Sequence, residues 1–480
     1  MSLDISKEAL DQIASAAAAL VQEYFAEIRE RPVIAPNHAG KTKGAVNVEL
    51  PGEGRPLEEL LDECRTVMGL SRHNGHPRFF GYVASPSTPV GAYADLLASA
   101  LNANITCWRS APAGTEIEQL VVRWLGSLIR YDENSKGLLT SGGSMANMIA
   151  LLIASRRKLG VEAAQKGLWN AGPPLTIYAS EEVHMSIPKA ADILGIGRDQ
   201  VRVVSCDERQ RMRVGELVTR IETDRKDGFR PCCVVASAGT VNTGAIDPLA
   251  EIAEIARRFD LWFHVDGAYG APGVLDQRKA ARFADLERAN SVSLDPHKWL
   301  YVPVDAGCLL FRDPAAAVAT FSTEEADYIK VHGLSEDAAF AYWDYGVELS
   351  RRFRALKVWL TLGYYGTRRL AESISNDVSM AAYMGDLVAR ADDFELLARV
   401  ELSICCFRYL PPNASESELN RVNEKIMAAV QKGGRAYLSN ATVNGKFALR
   451  ACITNFRTTK ADIDETLEVV REVARQLGHG

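Results

Sequence analysis

Several things are missing from this 480-residue chain, and each absence removes a class of function. No apolar run approaches the ~20 residues that cross a bilayer, so no membrane partner is expected. No basic tract stands out and the formal net charge is −6, which argues against nucleic acid. The nine cysteines are scattered, odd in number and without a C-x-x-C pair. A disulfide framework or zinc site is therefore not expected, and neither is any other metal. Internal repeats and low-complexity tracts are also lacking. Asp4, Lys7, Glu8 and Asp11 sit among the first apolar residues, unlike the pattern of a secretory leader. What remains is the expectation of a cytoplasmic globular protein, 47% hydrophobic and 24% charged, too long for one ordinary core.

The apolar pattern divides the chain into three. Residues 1–88 open with Ile13, Leu20, Tyr24 and Ile28 at helical spacing, then pass through a Gly- and Pro-rich stretch to a short acidic helix, Leu57 to Met68. This helical arm has little apolar mass of its own and needs a surface to dock on, such as a second subunit. Residues 89–355 alternate short apolar runs with turns and helices. The runs are Gly137–Thr140, Leu175–Ala179, Cys232–Ser237, Leu261–Val265, Ser291–Leu294 and Gly307–Phe311. Such alternation predicts an α/β domain with a mostly parallel sheet covered on both faces. Ligands of these sheets lie beyond the carboxyl ends of the strands. Residues 356–480 read helix–strand–helix–strand–helix, a small α+β domain.

Four chemical signals fall at predicted strand ends. In T-S-G-G-S-M-A-N (Thr140 to Asn147) a strand enters a Gly turn and a long helix follows. Backbone N–H groups and the helix dipole suit such a turn to a phosphate. It is neither a P-loop nor a nucleophile elbow, because no G-K-[ST] follows and Met145-Ala146 come after Ser144. His184, in E-E-V-H-M-S, and Thr240, in S-A-G-T-V-N, each follow a strand. A lone histidine is more often a satisfied core residue, but at this place it can stack on a ring or carry protons. Asp266 ends W-F-H-V-D, where a carboxylate is costly without a cation or donor. A pyridine nitrogen provides the reason, since a carboxylate beside it keeps the ring protonated. Lys298, in S-V-S-L-D-P-H-K-W-L, follows the strand at 291–294. Set between His297 and Trp299, it is expected to be partly desolvated, with a lowered pKa and a nucleophilic amine.

Phosphate cradle, histidine, aspartate and lysine, in that order, are what a pyridoxal phosphate site requires. The sequence resembles group II pyridoxal-phosphate-dependent decarboxylases of the aromatic-L-amino-acid type. The resemblance runs from H-P-R-F-F-G-Y (76 to 82) through W-R-S-A-P-A-G-T-E-I-E (108 to 118) and V-D-A-G-C-L-L-F-R (304 to 312) to R-R-F-R-A-L-K-V-W (351 to 359) and C-C-F-R (405 to 408). It implies fold-type I with a seven-stranded sheet, pyridoxal 5′-phosphate as cofactor, and a homodimer with swapped arms and shared active sites. It also implies that Lys298 is the Schiff-base lysine, with Asp266 at the pyridine nitrogen. His184 and Ala268 then lie on opposite ring faces, Gly143 and Ser144 hold the phosphate, and Thr240 and His297 line the cofactor site. Where the animal enzymes have a phosphate-contacting Asn, this chain has Asp295, which either reaches the phosphate through its backbone or pairs with a cation.

The resemblance further implies decarboxylation followed by protonation at Cα, with Tyr328 in T-E-E-A-D-Y-I-K as the acid. Aldehyde synthases of this kind often carry Phe there, so Tyr328 favours simple decarboxylation. Phe80, Tyr82 and Ser85 are expected at the substrate, Phe79 as a further aromatic, although aromatics in F-F-G-Y are more often core. Asn74, Asn104 and Thr106 depart from the family's apolar pocket. Ser350 is as in plant enzymes that prefer phenolic to indolic substrates. Together these imply a tyrosine- or dopa-like substrate above tryptophan, the alternatives being an aldehyde synthase or a decarboxylase of histidine or an acidic amino acid on the same fold. Intact Lys298, Asp266, His184 and Tyr328 argue against a non-catalytic homologue.

Overall fold

The computed structural model describes residues 3–35, 39–46, 49–131, 136–160, 162–168, 172–322, 340–412 and 414–478. Seven strands form the central sheet: β1 (Lys136–Thr140), β2 (Leu175–Ser180), β3 (Val201–Val204), β4 (Arg230–Ser237), β5 (Trp262–Asp266), β6 (Ser291–Leu294) and β7 (Gly307–Phe311). Their order is β1-β7-β6-β5-β4-β2-β3. The β6-β5-β4-β2-β3 run is parallel, and β7 lies antiparallel to both β1 and β6. β2, β5, β6 and β7 are buried at every residue, as strands covered on both faces must be. β3, absent from the pattern reading, is a four-residue edge strand whose Val203 is 48% exposed. It therefore lacks the continuous apolar signature.

The register places the chemistry. Ser237 pairs with Asp266, and Asp266 with Ser293, so three polar side chains stand in one row at the carboxyl ends of β4, β5 and β6. Gly307, which opens β7, abuts the turn after β1. A Cβ there would lie 2.4 Å from the Gly142 Cα, so only glycine allows the two backbones to meet. The helix Gly143–Leu159 starts at this turn and buries Ala146, Ile149, Ala150 and Ile153 against the sheet.

The helix Arg354–Arg390, kinked at Gly366 (φ 71°), leads from the sheet domain into a second unit. That unit holds an antiparallel sheet, β10-β11-β9-β8, of β8 (Phe394–Leu396), β9 (Ile404–Tyr409), β10 (Ser439–Val443) and β11 (Lys446–Cys452). The two-strand expectation missed β8, three residues long, and read the β10–β11 hairpin as a single strand. The hairpin turns on Asn444 and Gly445, both at positive φ (50° and 77°), an Asn-Gly turn of the kind that favours hairpins. The N-terminal segment docks on this unit of its own chain. Val33 and Phe80 N–H groups donate to the Gly434 and Tyr437 carbonyls, and Cys452 N–H to Phe80. Arg29 pairs with Asp462 at 2.9 Å. The helix Lys7–Ala26 nevertheless buries only Leu20, and Leu57–Leu70 buries none of its residues.

Asp377, on the long helix, anchors the segment after Lys298. Its Oδ2 accepts from Trp299 Nε1 (2.9 Å) and Tyr301 OH (2.6 Å). Burial pushes its carboxyl up to about 7. The folded state therefore holds this proton where the unfolded chain has lost it, and stability falls as pH rises from about 4 to 7. Over pH 5 to 8 this one group removes about 2–3 kcal/mol. Asp377→Asn keeps an oxygen for both donors, so its urea-denaturation midpoints at the two pH values should lie closer together than those of the wild type. An unchanged gap would contradict the assignment.

Candidate active site

A cavity of about 470 Å3 opens at the carboxyl ends of these strands. Of the residues singled out in the sequence, Gly143, Ser144, His184, Thr240, Asp266, Ala268, Asp295, His297, Lys298 and Tyr82 line it together. Asp266 is held by three donors. Asn147 Nδ2 reaches Oδ2 at 2.8 Å, while Ala268 N–H and Ser293 Oγ reach Oδ1 at 3.1 Å each. Burial alone would push this carboxyl up. Lys298 foremost, with the Asn147 hydrogen bond and the polar His264 and His184 rings, outweighs it and holds Asp266 below its ordinary range.

Lys298 Nζ lies 2.9 Å from Asp295 Oδ2. Burial lowers its pKa, as expected from the sequence, but Asp295 and Asp266 oppose burial and the net shift is upward. The lowered value expected from His297 and Trp299 is thus reversed by two carboxylates, one three residues away and one on the neighbouring strand. In this contact the Asp295 carboxylate pairs with a cation, Lys298. Among the described residues, Asp295 Oδ1 is buried without a partner. His297 accepts Ala306 N–H on Nδ1 at 3.0 Å, and burial lowers its pKa.

His184 Nδ1 faces Ser186 Oγ at 2.8 Å and accepts the Ser186 backbone N–H at 3.2 Å. Nδ1 is therefore bare and Nε2 carries the proton of the neutral ring. Burial lowers the pKa and favours that neutral form. Thr240 is fixed by Thr243 Oγ1 at 3.0 Å and by Ala245 N–H. Tyr82, at φ 58°, lies beneath the Arg72 guanidinium (4.8 Å) and beside Tyr437. Its carbonyl accepts from Arg450 at 2.8 Å, and Arg450 also holds Val241 O at 2.8 Å.

The other substrate candidates fall elsewhere. Phe80 is fully buried in the core of the second unit, and Phe79 packs on Val33 and Tyr437; neither lines the cavity, because the backbone pairing of residues 79–80 with Tyr437 turns them inward. Ser85 donates to the His297 carbonyl at 3.1 Å and, with Asn74, lines a second cavity of about 260 Å3 against the N-terminal helix. Asn104 Oδ1 accepts Arg351 N–H at 2.7 Å and Thr106 O accepts Tyr342 N–H. These two and Ser350 gather near Arg351, outside the cavity of their own chain. Tyr328 lies outside the described residues. Among the described residues, no group of three or more metal-ligating side chains is gathered.

Sequence reasoning missed Asn147, His264, Ser186 and Ser293. Strand alternation carried a signal, because residues 262, 264 and 266 point to one face and His264 thus stands behind Asp266. An asparagine on the apolar face of Met145 to Leu152 carried another, since a buried amide needs partners.

The donor set fits pyridoxal phosphate. Gly143 leaves a cradle in which a Cβ would press on Ala268 (2.9 Å) and Asp295 Oδ2 (3.0 Å). The start of the helix Gly143–Leu159 aims N–H groups there. An ionised carboxylate, a lysine and a histidine surround the remaining space. The comparisons agree. The family model described as the pyridoxal-dependent decarboxylase conserved domain matches residues 39–410. Aromatic-L-amino-acid decarboxylase of Bacillus atrophaeus is 33% identical over 99% of this chain and 98% of its own. Phenylacetaldehyde synthase of a Rosa hybrid cultivar is 30% identical over 95% and 92%. Among solved structures, Oryza sativa TDC with PLP and tryptamine superposes with TM-score 0.91 at 26% identity, over 99% of this chain and 100% of that one.

Proposed function

The chain belongs to the pyridoxal-dependent decarboxylase family, and from that premise we propose that it converts an aromatic L-amino acid to the amine and CO2, with tyrosine- or dopa-like substrates above tryptophan. It is a pyridoxal phosphate-dependent carboxy-lyase. The observation that carries the reading is the meeting of Asp266, His184 and Lys298 on one cavity beside a phosphate cradle.

Bound pyridoxal phosphate supplies an electron sink for the pair left when CO2 departs. The chain's residues do the rest. Lys298 holds the cofactor through Nζ, and Asp295 Oδ2, 2.9 Å away, takes up the proton that Nζ must first lose. Asp266 keeps a proton on the ring nitrogen. Ser144 and the backbone of the Gly turn would bind the phosphate, and Ala268 and His184 would flank the ring. Tyr82 and Val83 supply apolar lining against which a substrate side chain would be oriented. Tyr328 delivers the proton to Cα.

The runner-up outcome is an aldehyde synthase, as in the rose relative. Tyr328→Phe decides how the product is partitioned. The wild type should yield amine without peroxide, and the variant should divert a measurable share to aldehyde, peroxide and ammonia. An unchanged product ratio would rule out Tyr328 as the acid. The phenolic preference rests on Ser350, Asn74, Asn104 and Thr106.

The reading includes a homodimer with shared sites. Supporting it are the exposed Leu96, Leu97 and Leu101 on one helix, the little that the first helix buries, and the grouping of Asn104, Thr106 and Ser350 away from their own cavity. Sedimentation as a single chain would contradict it. A cytoplasmic location belongs to the same reading, supported by nine free cysteines; recovery of the protein outside the cytosolic fraction would contradict it.

A further inference from the structure

Behind Asp266 lies a line of buried polar groups that the chemistry above does not use. Trp262, His264, Ser291 and Asn147 are each 0–2% exposed. Trp262 Nε1 is 2.8 Å from Ser291 Oγ, which is 2.8 Å from His264 Nδ1. His264 Nε2 is 2.9 Å from Asn147 Oδ1, and Asn147 Nδ2 is 2.8 Å from Asp266 Oδ2 and 2.9 Å from Ser186 Oγ.

The direction of every bond follows from the two ends. An indole N–H only donates and a carboxylate only accepts. The Asn147 atom against Asp266 is therefore its NH2, and Oδ1 faces His264, whose Nε2 must bear the proton. A neutral imidazole carries one N–H, so Nδ1 accepts from the Ser291 hydroxyl, and Ser291 Oγ accepts from Trp262. The second amide hydrogen of Asn147 goes to Ser186, whose hydroxyl donates to His184 Nδ1. Every donor from Trp262 Nε1 to the Ser186 hydroxyl thus meets an acceptor.

We propose that Asn147 is a positioning residue of the cofactor site: its one amide sets Asp266, at the ring nitrogen, and His184, on a ring face, in a fixed mutual register, and His264 prevents that amide from flipping. A flipped Asn147 would turn its oxygen onto the Asp266 carboxylate and its NH2 onto the His264 N–H, two repulsions at once. Groups 2.8–2.9 Å apart with every hydrogen assigned have one arrangement, and a site of this kind loses about a hundredfold for ~1 Å of misplacement. The Asp266 carboxylate also faces Lys298 and the His184 ring; neither of these orients it through a fixed amide.

The inference rests on pyridoxal phosphate occupying this cavity, so the test begins with titration of the apoprotein by pyridoxal 5′-phosphate. Asn147→Leu should raise the dissociation constant about tenfold or more and, at saturating cofactor, lower kcat with the substrate KM within twofold. His264→Phe should do the same. His264→Gln, which keeps an N–H near the Nε2 position, should restore affinity to within about threefold of the wild type. Ser186→Ala, which frees only the His184 branch, should fall between. Should Asn147→Leu fail to fold, the His264 pair and Ser186→Ala give the answer. Folded variants with wild-type affinity and kcat, or a glutamine no better than phenylalanine, would overturn the proposal. A wild type that takes up no pyridoxal 5′-phosphate would overturn the cofactor assignment instead.

Discussion

Lys298→Ala should lower CO2 release by about a thousandfold or more and remove the visible absorbance, at about 420 nm, of the reconstituted wild type. The reason is local. Among the residues lining the cavity, Lys298 supplies the one amine, and covalent holding of a carbonyl needs an amine nucleophile. Asp295 at 2.9 Å and the nearby Asp266 raise its pKa against burial, so the free lysine is charged at neutral pH and must pass a proton on before it reacts. Phosphate and ring contacts remain in the variant, so it should still bind the cofactor while borohydride fixes none of it to the chain. Borohydride labelling of the variant at wild-type stoichiometry would place the attachment elsewhere.

Asp266→Asn should cost about 10^2–10^3-fold in kcat while the substrate KM moves little. The carboxylate is nine-tenths buried yet held below its ordinary pKa, because the Lys298 charge foremost, with the Asn147 donor and the polar imidazoles, outweighs desolvation. A neutral amide of the same shape leaves the row Ser237–Asp266–Ser293 intact but withdraws the charge proposed to keep the ring nitrogen protonated. Asn147 would then present a hydrogen to an amide that has one oxygen for three donors. Steady-state kinetics at saturating cofactor checks this. Loss confined to KM would show that Asp266 binds substrate and does not act at the ring nitrogen.

The sheet was legible where strands are buried on both faces: Cys232–Ser237 and Leu261–Val265 are continuous apolar runs, and the structure pairs them in parallel. Val201–Val204 was not, because an edge strand has no such run. His184, Thr240, Asp266 and Lys298 were legible because each is a polar side chain at or soon after the end of an apolar strand. Their supporting layer was not. Asn147 and His264 lie inside a helix and a strand whose surroundings read as core, and their partners come from distant positions, Ser186, Ser291 and Asp266. The upward shift of Lys298 was only half legible: Asp295, the larger cause, stands three residues before it, but Asp266 lies 32 residues before it and becomes its neighbour only through β5–β6 pairing. Phe80 shows the converse. An aromatic motif that promises a pocket wall is turned into the second core by its pairing with Tyr437 and Cys452.

The most direct measurement is product analysis of the protein reconstituted with pyridoxal 5′-phosphate, assaying CO2, amine, peroxide and ammonia on L-tyrosine, L-dopa, L-phenylalanine, L-tryptophan, L-histidine and L-glutamate. The account predicts equimolar CO2 and amine, no peroxide, and a higher kcat/KM on the phenolic amino acids than on tryptophan. CO2 from histidine or glutamate alone, or peroxide equimolar with CO2 on the aromatic substrates, would contradict it.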